Sequence, residues 1–346
     1  MKFVLLPANR TQLWRSLRRS LVIAIVLLGL PAAGVVWATS MPGDSFQGSP
    51  PPITEAQQAE VAAVGRDIVF IAEDIGPRHL LVAERLGETA AWMASRFAAA
   101  GFDVSRQTYA VGGVDVSNVI AERRGTTRPE EILIVGAHYD TVASTAGADD
   151  NGSGVVATLA LADRLAAFAP ERTLRFVGFV NEEPPWFGTD DMGAVRYARL
   201  CASRNETIVG MISLESIGYF DDAPGSQEYP RAFAWRYPDT GNFVAFVGNL
   251  RSSGFARDCI RRFRQHAAVP SEGVTAPGWI TGLSFSDHRA FWEIGVPAIM
   301  VTGTAMFRNP HYHRPGDRHD VVDDERLWWV IDGMEPVIRE LASPGG

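Results

Sequence analysis

Three short apolar runs, each closing on side chains that packing alone would exclude, constrain this sequence more than anything else in it. Glu131 to Val135 leads into Gly-Ala-His138-Tyr-Asp140, Thr173 to Val180 into Asn-Glu182-Glu183, and Met211 to Leu214 ends directly on Glu215. Apolar runs of about four to eight residues rich in β-branched side chains have the form of buried parallel strands. An ionised residue at the mouth of such a strand is costly unless something there holds its charge. Open α/β sheets gather their chemistry at the carboxyl ends of their strands. The pattern predicts an α/β fold: a single globular domain with a mixed, mostly parallel sheet flanked by helices and a polar site at the strand ends.

The remaining segments fit around that sheet. After His138 comes Gly-Ala-Asp149-Asp150-Asn-Gly-Ser-Gly, a stretch suited to a tight turn and a helix start, and Val155 to Phe168 then carries helical spacing. Thr54 to Ile75 and Val82 to Ala99 predict surface helices. Phe102 to Ala110 and Val114 to Glu122 alternate as edge strands around a Gly112-Gly113 hairpin. Pro184 and Pro185 hold back the next helix until about Asp190. Phe220 to Arg236 lacks periodicity and predicts a long loop at the rim of the site. Phe243 to Val247 predicts a strand, Ser252 to His266 a helix, and Val269 to Phe285 is rich in Gly, Thr and Pro. Ser286-Asp287-His288 opens an apolar segment, Phe291 to Val301; His311, His313 and His319 gather with Asp317 and Asp320, and a last helix runs from Asp323 to Leu341.

The chain has 346 residues and a net charge of -8, enough for one large domain and the wrong sign for gripping a phosphate backbone, so no nucleic-acid partner is expected. Arg15, Arg18 and Arg19 precede an uncharged run from Leu21 to Ala38. At about 1.5 Å per residue that run spans about 27 Å, close to a hydrocarbon core. Arginines on one side orient the amino terminus to the cytoplasm. Residues 1–40 are therefore predicted to be a basic segment with an uncleaved transmembrane anchor, a signal cleaved after Ser40 being the alternative. Residues 41–53 predict a Gly/Pro/Ser linker and residues 54–346 the domain. Cys201 and Cys259 either pair or stay as two separately buried thiols.

His138, Asp150, Glu182, Glu183, Glu215 and His313 offer nitrogen and oxygen donors from separate strand ends, the set zinc accepts in catalytic sites. Gly-Ala-His138-Tyr-Asp140, Gly-Ala-Asp149-Asp150-Asn-Gly-Ser-Gly, Asn-Glu182-Glu183, Ser286-Asp287-His288 and Pro310-His-Tyr312-His313 resemble, in this order, the motifs of the co-catalytic zinc aminopeptidases. That family includes bacterial leucyl aminopeptidases, glutamate carboxypeptidase and glutaminyl cyclases; the resemblance covers residues 55–345. It implies a zinc exopeptidase-like fold and two Zn2+ per chain. One would be held by His138, Asp150 and Glu215, and Asp150 would bridge to a second held by Glu183 and His313. It implies Glu182 as general base, Asp140 as the carboxylate that orients His138, and Asp287 as a further outer partner. Tyr312 is a candidate for stabilising an oxyanion or for packing. Trp186, Phe187 and Trp279 could line an apolar pocket or pack at its rim, and Asp221 or Asp222 could hold a free amine or stay solvated.

What the resemblance implies in function is a membrane-anchored or exported bacterial exopeptidase. It would remove amino-terminal residues from peptides with a free amino terminus, at the inner membrane facing the periplasm or cell exterior, or secreted if the signal is cleaved. Glutaminyl cyclisation and a non-catalytic, membrane-tethered binding domain are the alternatives. Many members carry aspartate where this chain has Glu215, and threonine where it has Arg318.

Overall fold

The computed structural model describes residues 9–230 and 233–345; Lys2 with the rest of the first eight residues, and two residues of the predicted loop 220–236, lie outside them. The chain divides into two units, Met1–Ser40 and Met41–Gly346. In the first, Arg10–Thr39 is a helix of 30 residues, long and apolar enough to cross a membrane by length and composition. Asn9 opens it by accepting a hydrogen bond from the backbone of Gln12.

The second unit is built on one sheet. Its strands are β1 (Asp103–Val111), β2 (Val114–Arg123), β3 (Arg128–His138), β4 (Arg172–Phe179), β5 (Thr207–Glu215), β6 (Val244–Gly248), β7 (Ser271–Thr275) and β8 (Ala298–Thr302). They lie in the order β1-β2-β4-β3-β5-β8-β6-β7. Strands β4, β3, β5 and β8 run parallel through the middle. The hairpin β1-β2 joins antiparallel at one side. At the other side β6 runs antiparallel to β8 and β7 parallel to β6. The sheet is thus mixed and mostly parallel, as the sequence predicts.

Side-chain alternation explains why the three runs read as continuously apolar. Leu133, Val135, Leu174, Phe176, Ile212 and Leu214 point to one buried face. Ile132, Ile134, Val177, Phe179 and Met211 point to the other. Both faces are covered, so neither tolerates a polar residue. Full burial of such a side chain contributes about 1.5–3 kcal/mol, and slipping the register by one residue would exchange the two faces. Helices Glu55–Val69, Ala83–Ala99, Gly154–Arg164, Ser253–His266 and Asp324–Ala342 supply residues to the first core; Gly193–Ser203 and the short His288–Glu293 supply the second. A third cluster, with Phe233, Phe243, Val247 and Met300, fills the β6 side. Because β4, β3 and β5 are adjacent and parallel, their carboxyl ends deliver Glu182, His138 and Glu215 to one place.

Four local expectations change. The residues predicted as a linker are strapped onto the domain: Arg264 donates to the carbonyls of Pro42 and Gly43 at 3.2 and 2.8 Å, Ser45 accepts from the Ser271 backbone, and Met41 and Phe46 pack on the core. Strand β7 lies inside the Gly/Thr/Pro-rich stretch, where Ser-Glu-Gly-Val-Thr carries too little apolar alternation to announce it; pairing with β6 recruits it. The helix after the two prolines begins at Gly193. The apolar segment at residues 291–301 splits into the end of a helix and β8. Cys201 and Cys259 are separate buried thiols.

Candidate metal centre

His138 is the last residue of β3, and its ring is almost fully buried. Its Nε2 stands 3.3 Å from Glu215 Oε2, 3.5 Å from Asp150 Oδ1 and 3.9 Å from Glu182 Oε2. On the far side of Asp150, His313 Nε2 stands 3.1 Å from Asp150 Oδ2 and 3.1 Å from Glu183 Oε2. The side chains therefore form two triads, His138–Asp150–Glu215 and Asp150–Glu183–His313, each with donor atoms close enough to share one cation. Asp150 belongs to both; Glu182 belongs to neither.

Two carboxylates beneath the site set the backbone that carries these ligands. Asp140 accepts from the backbone N–H groups of Glu182 and Glu183, both at 3.0 Å. Asp317 does the same for Asp149 and Asp150, at 2.8 and 3.0 Å. Asp140 was expected to orient the His138 ring through its carboxylate, but Oδ1 is 3.6 Å from Nδ1, beyond a hydrogen bond. The nearer partner is the Asp140 backbone carbonyl at 3.2 Å. The carboxylate is turned instead toward the Glu182-Glu183 backbone.

The turn bearing Asp150 is held from several directions. Asn151, rather than an aspartate, caps the helix: its Oδ1 accepts from Gly154 N and Ser216 N, and its Nδ2 donates to the Leu214 carbonyl. A Cβ at Gly154 would collide with that same carbonyl, so helix and strand end approach as closely as only glycine allows. Asp149 is no ligand; it accepts from Gly218 N, Tyr219 N and Asn309 Nδ2, and burial pushes its carboxyl up to about 6. Arg78, fully buried, donates to the carbonyls of Tyr139, Ile71, Gly76, Ala146 and Gly147. Burial lowers its guanidinium to about 10, so it stays a cation facing Asp317, Asp140, Asp150 and Glu183. Glu215 accepts from Ser286 Oγ at 2.8 Å and Ser216 Oγ at 2.9 Å.

Electrostatics tests whether a metal fits. Four carboxylates, Asp150, Glu182, Glu183 and Glu215, face two imidazoles in a buried space. Burial and the neighbouring acids push Glu182 well up and Glu183 to about 8. Burial alone would raise Asp150 as well; His138 and His313 on either side outweigh it and lower it. Asp150 Oδ2, Glu183 Oε1 and His313 Nε2 are buried without a hydrogen-bond partner. Orphaned donor atoms of this kind, with surplus negative charge, are what a divalent cation satisfies, and imidazole with carboxylate is a zinc donor set.

The other predicted residues fall into place around the triads. Tyr312 stacks on the His313 ring with centroids 3.9 Å apart, and burial beside four acids raises its phenol, which stays protonated. Asp287 is fully buried, within electrostatic reach of His138, Glu215 and Asp140, and burial raises it well above the usual range; neither of its oxygens has a hydrogen-bond partner. His288 is structural, its Nε2 2.8 Å from the Leu283 carbonyl. His319 pairs with Glu73, as does Arg318. Phe187 lines the central cavity and Trp186 a neighbouring one, while Trp279 is 84% exposed and lines neither. Asp222 pairs with Arg326, and Asp221 caps its own turn. Sequence reasoning missed Arg78, Asn151, Ser216 and Ser286 as supports. Asp317 was seen only as a neighbour of histidines.

An α/β sheet presenting two cation cradles bridged by one carboxylate, with a free glutamate beside them, defines a metal-dependent hydrolase. Residues 118–338 match Peptidase family M28, and the chain belongs to that family. It is 33% identical over 323 residues to "Uncharacterized protein YfbL" of Escherichia coli (strain K12), covering 91% of this chain and 95% of that one. Its fold resembles a zinc aminopeptidase from Bacillus subtilis, with a TM-score of 0.65, 15% identity and coverage of 84% and 96%. It also resembles a Fimbriiglobus ruber glutaminyl cyclase, with a TM-score of 0.59, 19% identity and coverage of 87% and 99%.

Proposed function

We propose that this peptidase is a two-zinc aminopeptidase acting outside the cytoplasm on peptides with a free amino terminus. The observation that carries the reading is the pair of triads sharing Asp150, with Glu182 left free of both. His138, Asp150 and Glu215 would hold one zinc, and Asp150, Glu183 and His313 the other. Bound there, zinc supplies Lewis acidity that polarises a carbonyl and acidifies water. Glu182 takes the proton of the attacking water on a carboxylate oxygen and hands it to the leaving amine nitrogen. Its burial suits the task, because a carboxylate raised toward neutrality both accepts and returns a proton readily. The protonated Tyr312 hydroxyl donates to the substrate oxygen as charge grows on it. Asp140 and Asp317 keep Glu182 and Asp150 in register by holding their backbones.

The central cavity is lined by acids, His313 and apolar side chains, with no arginine or lysine among the described residues. Such a wall favours a substrate amine over a substrate carboxylate. The helix Arg10–Thr39 would serve as an uncleaved anchor that leaves the domain outside, with residues 1–40 as one module and the rest as the peptidase.

The test takes the full chain in detergent, loads it with zinc, and supplies free-amine, blocked-amine and glutamine-first peptides, with products read by mass. Stepwise loss of first residues from free-amine peptides alone, abolished by chelator, is the expected result. Loss of ammonia from glutamine-first peptides would replace the reading with a cyclase. An inert, metal-loaded protein would replace it with a binding domain.

A further inference from the structure

Three cavities lie side by side along the strand ends. The central one, about 680 Å³, carries Asp150, Glu182, Glu183, Glu215 and His313 in its walls. It shares Glu215, Phe285, Met306 and Tyr312 with a cavity of about 780 Å³ that ends on the buried Phe233, Phe243, Val247 and Met300. On its other side it shares Glu183 and Pro184 with a cleft of about 600 Å³. That cleft is walled by His79, Leu80, Leu81, Pro185 and Trp186. Leu81, 87% exposed, is the most exposed large apolar side chain among the described residues.

We propose that the cleft between His79–Leu81 and Pro184–Trp186 is a binding subsite for an apolar side chain on the residue that follows the scissile bond. The proposal rests on the aminopeptidase reading. A peptide cut near its amino terminus must send its remaining length to solvent. The cavity on the Glu215 side ends on core, so it takes a side chain and not a chain. The cleft on the Glu183 side has exposed walls at Leu81, Pro184 and Pro185, which leaves the path out. One residue advances the chain by about 3.8 Å between Cα atoms, so the side chain past the bond meets the shared wall of Glu183 and Pro184. Its chemistry follows from the wall. The two acids of the cleft are already engaged, Glu183 in a triad and Asp140 on two backbone N–H groups. What remains to greet a side chain is leucine, proline and tryptophan.

The experiment compares kcat/KM of the zinc-loaded full chain for leucinamide and for Leu-Gly-Gly, Leu-Leu-Gly, Leu-Phe-Gly and Leu-Asp-Gly. Peptides with Leu or Phe second should exceed those with Gly or Asp by about tenfold, the size expected of one apolar side chain in an apolar pocket, mostly through KM. Leu81→Ser, at an exposed position, should narrow that gap. Leu81→Arg should shift preference toward the Asp-second peptide, a gain that a damaged fold cannot produce. Trp279→Ser, equally exposed and outside the cleft, should keep the original order. Equal values across the four peptides, or an unchanged order in Leu81→Arg, would overturn the subsite while leucinamide turnover leaves the aminopeptidase standing. If leucinamide and every peptide stay intact, the aminopeptidase reading fails and takes the subsite with it.

Discussion

The two halves of the metal centre are made from different material. His138 and Glu215 are the last residues of neighbouring strands, both buried, and Glu215 is gripped by two serine hydroxyls. His313 stands on a loop, its side chain 30% exposed, its φ at 57°. For a residue with a Cβ that backbone costs about 1–2 kcal/mol. Its supports are local: the stacked Tyr312 ring and the tight turns in which Arg314 N donates to the His311 carbonyl and Asp317 N to the Arg314 carbonyl. A ligand fixed by sheet register is positioned once the core forms. One fixed by a turn can yield without unfolding anything. The contrast teaches that this centre has a rigid wall on the His138 side and an adjustable one on the His313 side, where substrate must enter and leave.

The largest effect should come from Glu182, which serves both halves and holds neither. Glu182→Gln is expected to keep both metals, measured by elemental analysis, while turnover falls by about 10²–10⁴-fold. Turnover close to wild type in the metal-loaded variant would remove Glu182 from the reaction. Next come the two histidines. His138→Ala leaves Glu215 and Asp150 buried without their partner, a loss of the kind that costs about 3–5 kcal/mol, so metal and stability should fall together. His313→Ala should release one metal while Tm of the metal-free protein hardly moves. Equal losses of Tm in the two variants would break the distinction between a rigid and an adjustable wall.

Ser286→Ala sharpens it. Removing an outer partner of a ligand typically costs about 10–100-fold in metal affinity, and Ser286 touches Glu215 alone among the ligands. Titration calorimetry should show the His138 site weakened and the His313 site unchanged. A smaller change is expected with pH in the metal-free protein. Burial and Asp150 raise Glu183 from 4.5 to about 8. Burial lowers His313, but Asp150 and Glu183 raise it more, from 6.5 to about 10. The folded state then keeps protons that the unfolded chain has released, so stability falls as pH rises across this window. The Glu183 part is lost between about 4.5 and 8. The His313 part is whole below about 6.5 and gone by about 10. Tm should drop by a few degrees from about pH 6 to pH 9 without metal and much less with zinc. A metal-free Tm that is flat over that range would contradict the charge balance drawn for this half.

The same contrast governs what could be read before the fold was known. The strand-borne half was legible because β-branched runs predict buried strands and adjacent parallel strands bring their carboxyl ends together; His138, Glu182 and Glu215 follow from that. His313 was legible through its motif, but nothing local distinguished it from His311 or His319. The supports were not legible. Gly-Pro-Arg78 reads as an ordinary turn, and its side chain acts on carbonyls up to 69 residues away. Asp317 reaches Asp149 and Asp150 from 168 and 167 residues away. Residues 41–46 looked like a linker because glycine and proline disfavour regular structure, which says nothing about whether an arginine such as Arg264 will pin them.

The smallest effect tests the adjustable half at its surface. Arg318 follows the His313 loop and meets Glu73 at 3.1 Å, with 54% of its side chain exposed. An ion pair this open contributes about 0–1 kcal/mol, because water screens it and two long side chains must be ordered. Glu73 also keeps His319 at 2.9 Å, so the anchor between the loop and the first helical segment survives without the arginine. Arg318→Thr, which installs the residue common in similar peptidases, should therefore leave Tm within about a degree or two and leave metal affinity at both sites unchanged. If affinity fell at the His313 site alone, the loop would depend on its surface anchor as well as on Asp317 and Tyr312. The adjustable wall would then extend from the metal to solvent. If affinity fell at both sites, the motion would be passing through Asp150, the one side chain they share, and the two halves could no longer be treated as separately built.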